Sequence, residues 1–327
     1  MEDLEGSNKL RLSCRTPLIK LSNLALFLGN GSLEIYAKWE GVNATGTHKD
    51  RAAIEHVNNA KLMGYDIITV GTCGNYGVAI SYYSYVNGIR PVIFVPAAYK
   101  NTRVDEMLKY GAKVIYVNGT YEDAVKISME YAKRNKAYDA NPGSINGEAS
   151  IRAYSKISYE IVQELNEAPD AISIPVGNGT TLLGVFKGFY EMYKRGIISN
   201  IPQFIGCTTS LGNQIYYSWL ASSCNLVSLS KEDILETEIN EPLVSYRSFD
   251  GKGALDAIYK SDGRMYAFND AELLSASRIL STMEGLDVLP ASASAILGVA
   301  AYLRNNGCRC KKIVAILTGR AGKWIRH

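Results

Sequence analysis

From Leu33 onward, short β-branched runs bounded by glycine or proline alternate with amphipathic stretches of helix length. This alternation constrains the fold more than any other feature. A strand buried on both faces and followed by a helix packs efficiently only as a βα unit around a mostly parallel sheet. The strand candidates are "LEIYAKW", "DIITVG", "PVIFVP", "KVIYVN", "AISIPVG", "QFIGCT" and "KKIVAILTG". Between them the periodicity predicts helices over Lys49 to Met63, Tyr76 to Val86, Thr102 to Tyr110, Tyr121 to Arg134, Ala149 to Leu165, Leu182 to Arg195, Ala271 to Met283 and Ser292 to Asn305. Gly64, Gly88, Gly111 and Gly196 follow apolar patterns, where a left-handed helix cap is expected. The fold class is α/β, with doubly wound open sheets.

The stretch Leu226 to Arg264 breaks this rhythm with acidic and polar residues and reads as a surface excursion. Sheets of this kind bind ligands outside the carboxyl ends of their strands, so the loops that follow strands are the places to look. Three are rich in glycine and hydroxyls. "ITVGTCGNYGVAIS" holds Gly71, Thr72, Cys73, Gly74, Asn75 and Gly77; "SIPVGNGTTLLGVF" holds Gly177, Asn178, Gly179, Thr180 and Thr181; "VAILTGRAGKW" holds Thr318, Gly319 and Arg320. The second is the best phosphate cradle, because glycines let successive N–H groups converge on an anion at a helix start. It lacks the GK[ST] of a Walker loop, and Leu182 stands where a dinucleotide fingerprint needs its third glycine. Any one corner alone is also what a tight strand-to-helix turn looks like.

Composition removes several function classes. The 327 residues are 47% hydrophobic and 20% charged, enough for two packed lobes. Net charge is +3 with no long Lys/Arg run, so nucleic acid is not an expected partner. The opening "MEDLEGSNKLRLSC" lacks the apolar core of a signal peptide, and no segment reaches the ~20 apolar residues of a membrane span, so no membrane association is expected and a cytoplasmic location is. The six cysteines form no CxxC pair and read as reduced thiols; Cys308 and Cys310, a C-x-C near a helix end, are set aside.

Taken in order, "ATGTHKDR", "TCGNYG", "PVGNGTTLLGVFKG", "EGLDVLPASASAILGV" and "LTG" resemble the fold-type-II family of pyridoxal-phosphate (PLP) enzymes, most closely its threonine synthase branch. The resemblance runs from "RTPLIKLSNLA" at Arg15 to the C-terminal "LTG". It implies a two-lobe fold like the tryptophan synthase β chain, with PLP between a smaller lobe (40–142) and a larger lobe built from 1–39 and 143–327. Lys49 is then the Schiff-base lysine, and its position at a helix start makes chemical sense, because a positive local potential lowers an amine's pKa and frees the nucleophile. Asp50 and Arg51 are expected to hold the helix entry. Asn75 is expected on the cofactor's phenolic oxygen, and Thr72, Cys73 and Gly74 on the substrate carboxylate. Gly177, Asn178, Gly179, Thr180 and Thr181 match the cofactor-phosphate loop. Thr318 matches the hydroxyl that meets the pyridine nitrogen; unlike a carboxylate it does not keep that nitrogen protonated, which favours elimination and replacement over transamination. No metal is implied, and a small amino-acid substrate and a homodimer are.

The resemblance implies conversion of O-phosphohomoserine and water to threonine and phosphate. The alternatives are a threonine or serine dehydratase, a β-replacement enzyme on a serine derivative, and a binding protein that keeps the fold without the chemistry. One stretch departs from the branch. Where its members carry a loop resembling N-S-x-N-P-x-R-x-E-G, this chain has "YDANPGSINGEAS", with Tyr138 and Asp139 replacing the polar pair, Ser144 at the arginine position and Asn146 at the glutamate. Losing a bidentate arginine and gaining an aspartate costs a dianionic substrate several kcal/mol unless Arg152, His48 or Arg103 compensates. His48 replaces an aromatic residue and reads either as packing or as a second acid/base. Arg320 replaces a histidine, and either faces solvent or approaches the ring nitrogen.

Overall fold

The computed structural model describes residues 15–29, 33–97, 103–306 and 310–322. The opening fourteen residues and Cys308, read above from sequence, lie outside the described residues, as does Thr102. The chain begins with β1 (Leu18–Lys20), α1 (Ser22–Leu28), β2 (Glu34–Trp39), α2 (Lys49–Leu62), β3 (Ile67–Gly71), α3 (Asn75–Asn87) and β4 (Arg90–Pro96). It continues through α4 (Val104–Lys109), β5 (Lys113–Val117), α5 (Tyr121–Asn135), β6 (Tyr138–Asp139), α6 (Glu148–Leu165), β7 (Ala171–Pro175), α7 (Thr180–Lys194) and β8 (Gln203–Thr209). It ends with α8 (Gln214–Leu220), α9 (Gly251–Lys260), β9 (Arg264–Phe268), α10 (Asp270–Glu284), α11 (Pro290–Asn306) and β10 (Lys312–Leu317).

The strands form two sheets. One has the order β1-β2-β10-β7-β8-β9, parallel except at β1–β2; the other has the order β5-β4-β3-β6 and is parallel throughout. The last strand, β10, inserts between β2 and β7, with Ile313 opposite both Ile35 and Ala171. Its side chains alternate in the way the pleat requires. Ile313, Ala315 and Leu317 join a core with Ile35, Leu273 and Val299, while Val314 and Ile316 join the opposite core with Tyr154, Val185 and Phe204. The four-stranded sheet has its own core, in which Val57, Ile68, Val78, Ile93 and Met107 pack together. These all-apolar strands explain why the sequence reads as runs rather than as alternation.

Gly64, Gly88, Gly111 and Gly196 all adopt the positive φ expected of helix caps. The helices lie within two residues of their expected ends, and the unforeseen elements are short or polar: β1, α1, β6, α8, α9 and β9. The reading of Leu226 to Arg264 as a surface excursion is corrected. Asn240, Leu243, Ser245 and Ser248 are buried, and residues 251–260 form α9.

Helix α2 starts on a buried ionic cluster. Arg51 grips Glu40 (Nε–Oε2 2.7 Å, Nη2–Oε1 2.9 Å) and Glu160 (Nη1–Oε1 2.6 Å, Nη2–Oε2 2.7 Å), each through two bonds. Lys38 adds Glu160 and Glu164 at 2.9 and 2.7 Å. Asp50 accepts from the Thr45 N–H at 2.8 Å, from the Thr45 hydroxyl, and from the Tyr83 hydroxyl at 3.1 Å. Both side chains therefore hold the helix entry, as the sequence suggested.

Candidate active site

The segment Asn43–Lys49, between β2 and α2, gathers the glycine-rich corners to one place. Thr47 bridges to Gly319 after β10, and the Arg320 N–H donates to the Gly46 carbonyl at 3.0 Å. The His48 backbone N–H donates to the Thr318 carbonyl at 2.8 Å. The His48 ring spans two corners: Nδ1 meets the same Thr318 carbonyl, and Nε2 meets the Thr181 hydroxyl, both at 3.1 Å. A carbonyl only accepts, so Nδ1 carries the proton and Nε2 accepts from Thr181. Burial, with Lys49 next door, holds this ring well below its ordinary pKa and keeps it neutral. With both nitrogens committed, His48 locks corners together and is not poised as a second acid/base. Arg320 is exposed and lies over Gly46.

Lys49 opens α2 with its Nζ over two aromatic rings, 5.9 Å from the centroid of Tyr76 and 5.8 Å from that of Tyr154. Among the described residues it makes no ion pair. Burial lowers the amine to about 8, against smaller opposing pulls from Glu241 and Asp250. This makes it a far better nucleophile and base near neutral pH than an ordinary lysine.

The β3–α3 corner offers N–H groups and one amide. Thr72 is fixed by its N–H to the Phe94 carbonyl at 2.9 Å, and its hydroxyl accepts the Gly74 N–H at 3.2 Å. The first-turn N–H groups of α3 have no acceptor within the helix. Asn75 Oδ1 is held at 2.5 Å by Arg103 Nη1, which commits the amide oxygen and leaves its NH2 as the outward donor. Arg103 is itself fixed by Glu106 at 2.9 and 3.0 Å and by the Thr45 carbonyl at 3.0 Å.

The β7–α7 corner is a cradle that admits no side chain at two of its positions. A Cβ on Gly177 would lie 2.3 Å from the Pro242 carbonyl oxygen. Gly179 adopts φ +88°, and a Cβ there would lie 2.7 Å from that of Ala254. The loop feeds α7, whose first N–H groups and positive dipole end face outward. Thr180 donates its hydroxyl to Asp250 at 2.5 Å, and the burial of Asp250 raises that carboxyl's pKa.

The loop expected to bind a substrate phosphate is occupied with itself. Asn146 Nδ2 and Ser144 Oγ donate to the Asp139 carbonyl at 2.9 and 3.4 Å, and Asp139 Oδ1 accepts from Asn141. None of the three candidate compensating cations replaces the arginine: Arg152 is exposed and faces Glu55, His48 is neutral, and Arg103 is tied to Glu106 and Asn75.

A profile of pyridoxal-phosphate dependent enzymes matches residues 10–319. The chain belongs to this family. It is a PLP-dependent enzyme of the lyase type, similar over its length to threonine synthases. That of Methanocaldococcus jannaschii is 31% identical over 316 residues, 94% of this chain and 75% of that protein. That of Methanosarcina acetivorans is 30% identical over 312 residues, 93% of this chain and 74% of that protein. Among solved structures, an L-serine ammonia-lyase from Rhizomucor miehei superposes with a TM-score of 0.78 at 23% identity, covering 94% of each chain. A PLP-dependent aspartate racemase gives 0.79 at 18%, covering 95% of this chain and 92% of that one. At those identities the likeness speaks for the fold alone. No helix among the described residues is long and apolar enough to cross a membrane.

Several side chains at this site were missed in the sequence reading. The charge of Glu241 bears on the Cys73 thiol, on Lys49 and on Glu236. Tyr76 and Tyr154 flank the amine. The acidic run "EDILETEINE" was visible, but composition alone pointed it at solvent.

Proposed function

We propose that this enzyme eliminates or replaces the substituent of a hydroxy-, acyloxy- or phospho-amino acid, with Lys49 as both the cofactor-linking amine and the base at Cα. The observation that carries this is the Lys49 amine, lowered to about 8, lying over the Tyr76 ring of the β3–α3 corner and following a segment whose His48 and Thr47 are bonded to Thr181, Thr318 and Gly319 of the other two. Bound PLP supplies an aldehyde for the lysine and a ring that accepts the electron pair left when a Cα bond breaks. Gly177, Asn178, Gly179, Thr180, Thr181 and the α7 dipole hold its phosphate, where the two glycines leave room that a Cβ would fill. Burial raises the pKa of Asp250, the acceptor of the Thr180 hydroxyl at this corner. The Asn75 NH2 serves the phenolic oxygen and Thr318 the ring nitrogen. Thr72, Cys73 and Gly74, with the first N–H groups of α3, hold the substrate carboxylate, which fixes the Cα–H bond toward Lys49. Lys49 takes that proton and delivers it onward as the substituent leaves.

The relatives support O-phosphohomoserine conversion to threonine as the first reaction to test. A second reading, dehydration or β-replacement on an unphosphorylated hydroxy-amino acid, is favoured by Ser144 at the arginine position and by the self-bonded loop around it. The same proposal divides the chain into lobes 40–142 and 1–39 plus 143–327, and takes it to be a cytoplasmic homodimer. The test is a visible band on adding PLP that vanishes in Lys49→Ala, followed by assays for phosphate and keto acid. Full turnover by Lys49→Ala would sink the assignment.

A further inference from the structure

Asp250 is stitched to the β7–α7 corner by backbone and side chain. Its N–H donates to the Asn178 carbonyl at 3.2 Å, its own carbonyl lies 3.3 Å from where a Cβ on Gly179 would stand, and its Oδ2 accepts the Thr180 hydroxyl at 2.5 Å. Asp250 is also the N-cap residue of α9, yet its side chain makes no bond to the first N–H groups of that helix. An aspartate at this position ordinarily caps its own helix. Here the carboxyl has turned onto the loop instead.

This orientation commits the donors of the loop. A hydroxyl has one proton; that of Thr180 goes to Asp250, and that of Thr181 goes to His48 Nε2 at 3.1 Å. The corner then offers a phosphate its backbone N–H groups and the Asn178 amide, whose Oδ1 is taken by Ser245 at 3.3 Å. With Asp250 ionised, as its bond from Thr180 and the nearby Lys49 favour, Thr180 Oγ has only lone pairs left for a dianion. One added proton reverses this, because a protonated Asp250 donates to Thr180 Oγ and releases the threonine proton toward the phosphate. Of the charges facing Asp250, Glu148 of α6 opposes its ionisation, Lys187 of α7 and Lys49 of α2 favour it, and Tyr121 of α5 feels it. Lys187 is paired with Glu148 at 3.0 Å and Lys252, on the same helix as Asp250, with Asp256, both pairs being exposed.

We infer that Asp250 is a positioning residue for the Thr180 proton, and that the apoprotein takes up one proton at Asp250 when a phosphate ester enters the β7–α7 corner. This rests on the reading of that corner as the cofactor-phosphate loop. The proton comes from solvent, and no covalent bond forms or breaks. Cofactor affinity is thereby tied to pH independently of Lys49. Burial of the Asp250 carboxyl works in the same direction.

The probe is pyridoxine 5′-phosphate, which carries the phosphate but no aldehyde for Lys49. It is titrated into apoprotein by calorimetry at about pH 7.5 in buffers of different ionisation enthalpy, which counts the protons taken up on binding. A phosphate ester with its second pKa near 6 is already a dianion there, and titration of the ligand ring and of Lys49 is common to wild type and variants. The expected result is about one proton more per ligand in wild type than in Asp250→Asn or Asp250→Ser. From about pH 7.5 to 8.5 the wild-type affinity then falls about tenfold more than that of either variant. The visible band with PLP shows which variants are folded. Equal proton counts in wild type and a folded variant, with parallel pH profiles, overturn the inference. A wild-type protein that binds neither pyridoxine 5′-phosphate nor PLP refutes the cofactor reading instead, so the two failures are told apart.

Discussion

An amine attacks an aldehyde only in its free form, so the pH dependence of PLP capture by the apoprotein reads out the Lys49 pKa directly. The amine is lowered from 10.5 to about 8, mainly by burial, while Glu241 and Asp250 pull the other way. That difference makes the free fraction at pH 7 roughly one-tenth, about 300-fold above that of an ordinary lysine. Glu241→Gln removes one opposing charge, and the midpoint then falls below that of wild type. The assay follows growth of the visible band after mixing with PLP from about pH 6 to pH 10, with borohydride trapping and mass analysis to place the adduct on Lys49. Lys49→Ala supplies the background from surface lysines. A wild-type midpoint near 10.5 would refute the burial argument. An upward move in Glu241→Gln would refute the placement of that carboxyl beside the amine.

Arg51→Leu strands Glu40 and Glu160 without their guanidinium and is expected to cost about 3–5 kcal/mol in denaturant unfolding. His56, buried against Ser150 (2.8 Å) and Tyr138 (3.2 Å), is lowered from 6.5 to about 3, so the unfolded chain binds its proton first and stability falls as pH drops below 6.5. That loss reaches about 2 kcal/mol by pH 5 and is absent in His56→Gln, as denaturation at both pH values checks. Arg103→Ala frees the Asn75 amide to flip, so PLP affinity falls several-fold and the pH at which the visible band changes shifts, while Arg103→Lys partly restores both. Gly177→Ala forces its methyl against the Pro242 carbonyl and is expected to lower PLP affinity about tenfold or more, measured by equilibrium titration.

The α/β architecture was legible because buried parallel strands such as β4 and β10 announce themselves as apolar runs, and because Gly88 and Gly111 mark helix ends by a conformation few other residues adopt. The corners were legible for a related reason: glycines at Gly177 and Gly179 and hydroxyls at Thr180 and Thr181 cluster locally in sequence. What escaped depends on contacts distant in sequence. Glu241 lies 168 positions from Cys73 and 192 from Lys49, and nothing in "ETEINEP" indicates that its neighbour Pro242 is pressed against Gly177. The role of His48 was undecided from sequence for the same reason, since its two partners are Thr181 and Thr318. Short elements such as β6 and α8 carry too few residues for a period to show.

The insertion of β10 between β2 and β7 sets a timetable for synthesis. When β2 leaves the ribosome, the neighbour that will occupy its inner edge is still about 270 residues away, on the order of tens of seconds at ordinary elongation rates. The four-stranded sheet, drawn entirely from Ile67–Asp139, has all its strands long before then. The larger sheet waits with an open slot, and so does the lysine, because the loop leading to it is pinned by the carbonyl of Thr318. A nascent or prematurely terminated chain therefore carries Lys49 on a segment held from the Asp50 and Arg51 side but lacking its contacts to Thr318, Gly319 and Arg320, and that segment is completed only in a chain translated through its final strand.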